Sequence, residues 1–283
     1  MSRTARTRSS KRISRRLVVG LILLLLVCSL GFAASALPIR VLHVGGSLHG
    51  FLVLKDERGE VLADGELIQF LNGPNRIKSE LTFHFKDGSL QQEITIYSQR
   101  RYFRLLSDHL IQKGPAFKEP TDMYVNATTG DVTVRYSDEH QPEKVVEQHM
   151  DLPVNLANGF VSTILENIPA NQTEVTVAML VATPKPRIVK LKIQAEGEDL
   201  FSVGATTCKV QRYLGKIDIG GVAGVVAGLA GKQPPDSHFW IVPGAAPLFV
   251  KSLGPQFDGG PLWEIDLVSP AGPKGNREDD QGK

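Results

Sequence analysis

The sequence predicts a mainly β protein, a curved antiparallel sheet or half-barrel, on three observations. Short segments alternate apolar and polar side chains with the period of a half-buried strand. Turn signals separate these segments at regular intervals. A single stretch departs from that pattern and places its apolar residues at helical spacing.

The first element is a leader. Residues 1–16 hold seven basic side chains and no acid, Leu17–Ala36 carries no charge, and Ala34-Ser35-Ala36 has the small-x-small form of a cleavage site. A basic region, an apolar run and such a site are the layout of a secretory signal peptide. Twenty uncharged residues are also long enough to span a hydrocarbon core of ~30 Å, so an uncleaved N-terminal membrane anchor is the other reading of 1–36. Either way the expected location is extracytoplasmic, periplasmic or anchored to the inner membrane with the basic flank inside.

Strands follow. Leu81-Thr82-Phe83-His84-Phe85-Lys86 puts apolar residues at odd positions, Asp87-Gly88 makes a turn, and Leu90–Ser98 continues with Ile94 and Ile96 on one face, so a hairpin is expected. Asp131–Tyr136, Glu143–Met150, Val175–Val181, Ile188–Gln194, His238–Val242 and Leu262–Val268 read as further strands, rich in β-branched or aromatic residues. Between them, Leu156, Phe160, Val161, Ile164, Leu165 and Ile168 predict one amphipathic helix over about 153–168, ended by Pro169. Asn158-Gly159 in its middle predicts a close approach of backbone to sheet, since glycine there costs roughly 1 kcal/mol against alanine. The domain so defined runs 37–269, and the Gly-, Pro- and charge-rich stretch 270–283 is expected to be a disordered tail.

Ile219–Gly231 is the most unusual segment: thirteen residues without a polar side chain, with Gly220, Gly224 and Gly228 four apart. At ~1.5 Å per residue a helix of that length reaches about 20 Å, short of a membrane crossing. It reads as a buried apolar plug, a segment touching membrane or covering a lipid-sized ligand, or a contact for a partner. Trp240 and Trp263 lie in the strands that follow, and with the three glycines they are the candidate ligand-binding residues; the aromatics equally suit an ordinary core.

Charge and motifs exclude several functions. The chain has 32 basic and 30 acidic residues, and without the leader 25 basic against 30 acidic remain, a net −5. No basic face for nucleic acid is left. Gly231-Lys232-Gln233 lacks the Ser/Thr and the upstream glycine of a phosphate loop, and no Gly-x-Gly-x-x-Gly sits in a βαβ unit, so no nucleotide or other cofactor is expected. Cys208 is the one cysteine outside the leader, which rules out an intrachain disulfide there and a thiolate metal cluster. The histidines show no ligand spacing, and no catalytic set is assigned. Asp236 and His238 form the nearest thing to a hydrolytic dyad; Asp258, Glu264 and Asp266 supply carboxylates on a polar strand face.

Gly65, Asp87-Gly88-Ser89, Gln112-Lys113-Gly114-Pro115, Asn158-Gly159, Thr183-Pro184-Lys185-Pro186, Gly231-Lys232-Gln233-Pro234-Pro235-Asp236 and Gly259-Gly260-Pro261-Leu262-Trp263 together resemble an uncharacterised family of exported bacterial proteins. That family brings no activity with it. The layout is more loosely similar to lipoprotein-carrier (LolA-like) half-barrels, which implies a curved sheet cupping an apolar ligand. The expected function is accordingly an exported β-rich protein of the bacterial envelope that binds an apolar or lipid-like ligand. An envelope assembly factor using 219–231 as its partner contact, and a hydrolase, are the alternatives.

Overall fold

The computed structural model describes residues 37–136, 144–169, 171–181, 185–204, 206–220 and 233–269. The leader, the tail from Pro270, and Gly224 and Gly228 lie outside these residues. Fourteen strands are seen among them: β1 (Leu48–Lys55), β2 (Val61–Leu71), β3 (Arg76–Phe85), β4 (Leu90–Gln99), β5 (Phe103–Lys113), β6 (Thr121–Asn126), β7 (Asp131–Tyr136), β8 (Lys144–His149), β9 (Glu174–Val181), β10 (Arg187–Val203), β11 (Thr206–Asp218), β12 (Ser237–Val242), β13 (Leu248–Pro255) and β14 (Leu262–Val268). One short helix, α1 (Val161–Leu165), stands between β8 and β9.

All strands join one antiparallel sheet in the order β8-β7-β6-β5-β4-β3-β2-β1-β14-β13-β12-β11-β10-β9. Chain neighbours are sheet neighbours except β8 and β9, which form the two edges, and β1 pairs β14, which places the first strand beside the last. The local chemistry explains the hairpins. At the β3–β4 turn Gly88 takes φ +87, and the Asp87 carboxylate accepts the Ser89 N–H. At the β1–β2 turn the Asp56 carboxylate accepts the N–H groups of Arg58 and Glu60.

The sheet is curved and open, and its core shows why it must curve. Met123 and Val125 of β6 share one hydrophobic cluster with Leu191 and Ile193 of β10. In a flat sheet those strands would stand ten spacings of ~4.8 Å apart, about 48 Å. They share a cluster because the sheet bends around the segment joining its two free edges. That segment, 150–173, carries Leu156, Ala157, Phe160, Ile164 and Leu165 into the same cluster, so it acts as an internal plug. Phe160 stacks on Tyr97 with ring centroids 4.7 Å apart, and the Tyr97 hydroxyl lies 3.3 Å from Thr163 Oγ1. A second cluster holds Leu52, Leu54, Ala63, Phe83, Phe85, Phe117, Trp263 and Ile265.

One expectation is corrected here. The helix expected over about 153–168 is only Val161–Leu165. Residues 155–158 instead lie along edge strand β9 and satisfy its backbone: Ala157 N–H donates to the Ala178 carbonyl, and Ala178 N–H to that of Asn155. The Asn158 side chain accepts the Leu180 N–H and donates to the Leu180 carbonyl, both at 2.8 Å. Asparagine pairing with backbone competes with helix, and an edge strand's unpaired groups gave it a partner. Replacing Asn158 with alanine orphans both Leu180 groups in a buried site and is expected to destabilise the fold by about 2–4 kcal/mol in urea titration. Asn158→Asp, which keeps the acceptor alone, should lie between.

Strand β4 has Ile94 and Ile96 on one face, as expected, and that face is the outer one. Gln91, Glu93, Thr95, Tyr97 and Gln99 face inward, as the register with Leu81, Ser79 and Ile77 of β3 requires. Leu81, Phe83 and Phe85 point inward as expected.

Candidate functional site

Between the two hydrophobic clusters, bounded by the plug and the sheet, lies a cavity of about 370 Å³. Leu52 and Ile265 reach it from one cluster, Met123, Leu180 and Leu191 from the other, and Leu81, Leu110 and Phe239 complete much of the wall. Its rim includes Arg187, whose guanidinium stands 3.8 Å from the Asp258 carboxylate.

One wall is polar, built by consecutive inward positions of β3, β4 and β5. Ser79, Gln91, Glu93 and Gln112 all line the cavity. Gln112 Nε2 donates to Gln91 Oε1 at 3.1 Å and to the Gln256 carbonyl at 2.9 Å, which locks that pair. Register places Thr95 opposite Asp108 and Glu93 opposite Leu110, so the two carboxyls are diagonal neighbours on one face. Thr95 Oγ1 donates to Asp108 Oδ1 at 2.8 Å, while Asp108 Oδ2 is buried without a partner.

Gly159 of the plug roofs this pair. A Cβ there would meet Thr95 Oγ1 at 1.8 Å and Asp108 Oδ1 at 2.7 Å, and φ is +70. The close approach to the sheet expected of Gly159 is therefore present, though in a turn and not in a helix.

The electrostatic result is a pair of carboxyls that resist ionisation. Burial, and then the charge of Asp108, holds Glu93 well above the usual carboxylate range. Burial pushes Asp108 up to about 7, against the opposing pull of the Thr95 hydrogen bond and of His109. Glu93 is enclosed by protein, and the surface it retains faces the cavity. Among the described residues no basic side chain bonds to either carboxyl; His109 points outward to Asp122 at 2.8 Å.

The residues singled out in the sequence fall elsewhere. Trp263 fills the aromatic core with Phe85, Phe117 and Phe257. Trp240 sits on the outer sheet face, its Nε1 donating to Asp199 at 3.1 Å with Lys251 Nζ 5.4 Å from the ring. Neither tryptophan is among the cavity-lining residues; Phe239, beside Trp240 in the chain, is. Gly220 is exposed at φ +66, in a turn where its N–H donates to Asp218, whereas Ile219 before it reaches the cavity.

Asp236 and His238 do not form a dyad. Asp236 faces Lys216 at 3.6 Å, and His238 Nδ1 lies 3.0 Å from Glu196, because the two side chains turn to different neighbouring strands. Glu264 and Asp266 are held with Lys55 and Lys251 in one ion-pair network. Among the described residues no group of three His, Cys, Asp or Glu side chains is placed to hold a metal ion.

Neither Glu93 nor Asp108 was singled out in the sequence. A signal was there: Asp108 is a lone acid inside the otherwise neutral apolar strand Phe103–Gln112, apart from Arg104 and His109, and Glu93 alternates in step with Gln91 and Thr95.

No protein-family model and no curated protein matches the chain. Among solved structures it is similar to a β-barrel-like protein of a domain of unknown function from Brucella abortus, at 10% identity and a TM-score of 0.43, covering 80% of this chain and 98% of that one.

Proposed function

We propose that this is an exported domain of the bacterial envelope that holds an apolar or lipid-like ligand inside its curved sheet. The observation that carries the reading is the cavity. Its volume of about 370 Å³ lies within the range of small-molecule sites, and its wall is rich in leucine, with a polar row of Ser79, Gln91, Glu93 and Gln112 along one part of it. Interiors are normally packed to crystal-like density, so a space of this size at the meeting of two cores supports reading it as a site. Export rests on the leader, whose basic and apolar regions suit passage into a membrane.

Uptake of an environment-sensitive apolar dye, and its displacement by medium-chain alcohols, tests the reading. Saturable one-to-one binding is expected. Leu110→Trp, which fills the wall beside Glu93, should weaken it by about tenfold, the loss of roughly 1.4 kcal/mol of contact. Absence of saturable uptake, or uptake indifferent to Leu110→Trp in a folded variant, would overturn the reading. Cell fractionation of the native host checks export separately.

A further inference from the structure

We infer that the cavity selects a cationic amphiphile, an alkyl chain bearing an ammonium group, and seats that group against Glu93, with the Asp108 carboxyl behind it. The inference rests on the cavity being a ligand site and adds the chemistry of its occupant.

Glu93 lines the cavity and, among the described residues, has neither a hydrogen bond nor an ion pair. Behind it, Asp108 Oδ2 is fully enclosed and likewise unpartnered. Buried carboxyls ordinarily come with a basic partner, because a buried charge without one is costly. Among the described residues the one basic side chain in the lining is Arg187, which stands at the rim facing Asp258. The charged groups of the lining among the described residues are therefore Glu93, Asp258 and Arg187, an acidic excess with its unsatisfied member innermost.

Each class of occupant meets this arrangement differently. An anionic head group would face Glu93 with no cation between them. A neutral alcohol has one O–H to donate and leaves acceptors over. An ammonium group brings three donors and the missing positive charge in one compact head. The adjoining wall of Leu81, Leu110, Met123 and Leu191 is apolar, so the chain that follows the head has a matching surface. The raised proton affinity of both carboxyls agrees with this: without a cation they hold protons, and an arriving ammonium releases one to solvent.

Calorimetric titration of the purified full chain with submicellar n-decylammonium, n-decanol and n-decanoate tests the inference. Decylammonium is expected to bind about tenfold or more tighter than decanol, with decanoate weakest. Glu93→Gln, which keeps shape and removes the charge, should bring decylammonium down to the decanol level. Asp108→Asn should reduce the preference in the same direction, and it decides the matter if Glu93→Gln does not fold. Equal affinity for the three probes, tighter decanoate, or a preference that survives both substitutions would overturn the ammonium assignment while decanol binding upholds the cavity. Failure of all three probes would overturn both.

Discussion

Alanine at Gly159 is expected to destabilise the protein by roughly 2–5 kcal/mol, among the largest effects of any single methyl group in the chain. Two costs coincide. The residue takes φ +70, where an L side chain is strained by about 1–2 kcal/mol. The added Cβ would also stand 1.8 Å from Thr95 Oγ1 and 2.9 Å from Thr95 Cβ, so the plug must lift or the β4–β5 pair must spread. Gly59 separates the two costs: its φ is +79, and nothing lies within 4 Å of its would-be Cβ. Gly59→Ala should therefore show the conformational cost alone, about 1–2 kcal/mol. Thr95→Ala in the Gly159→Ala background removes the nearest atom and should recover part of the loss. Urea unfolding of the three variants measures this. Equal costs at Gly59 and Gly159 would mean that the plug does not press on the polar wall.

That comparison also shows how far the sequence could be read. Strand periodicity was legible wherever one face meets the apolar core, as in Leu81, Phe83 and Phe85. In β4 it showed the two faces but not which one is inner: the inward face carries Gln91, Glu93, Thr95 and Gln99 and the outward one carries Ile94 and Ile96. Hydrophobicity normally identifies the inner face, and a cavity wall with polar groups inverts that rule. The site hid itself from the pattern that located its neighbours. The helix was overestimated for a related reason. Leu156, Phe160 and Ile164 do pack inward, but Asn155 and Asn158 spend their side chains on edge strand β9, a partner 20 or more residues away that no local spacing reveals. The curved sheet was legible; the pairing of β1 with β14, a contact between the two ends of the domain, was not.

Lowering the pH should stabilise this protein over a range where many others begin to weaken. A carboxyl whose folded pKa is raised binds more protons in the native state than in the unfolded one. Its penalty is absent below the unfolded value near 4 and grows as pH rises through the folded value. Asp108 titrates at about 7 and Glu93 well above the ordinary range, both through burial. Glu166, partly buried within the plug with its carboxylate accepting the Phe249 N–H, is also pushed up to about 7 by burial. All three carry the same sign. For Asp108 alone, movement from 3.8 to about 7 corresponds to a ceiling of roughly 4 kcal/mol between about pH 8 and about pH 4. Structural relaxation and water entering the cavity reduce it. The charged groups facing Asp108 are Glu93 on the same wall, which adds to the penalty, and His109 on the outer face, which opposes it when protonated. Asp108→Asn gives the test a sign. The amide cannot ionise, so the variant should be more stable than wild type at about pH 8 by ~1–2 kcal/mol. At about pH 5, where the native acid is protonated and the amide leaves a buried N–H unsatisfied, it should be less stable by ~1 kcal/mol or more. Urea titrations across that interval should give curves that cross, with Glu93→Gln flattening the remaining slope and Glu166 accounting for what is left. Parallel curves would mean that Asp108 is ionised in the native state and held by a counter-charge, and would remove the unpaired acidic wall against which an ammonium head group is proposed to sit.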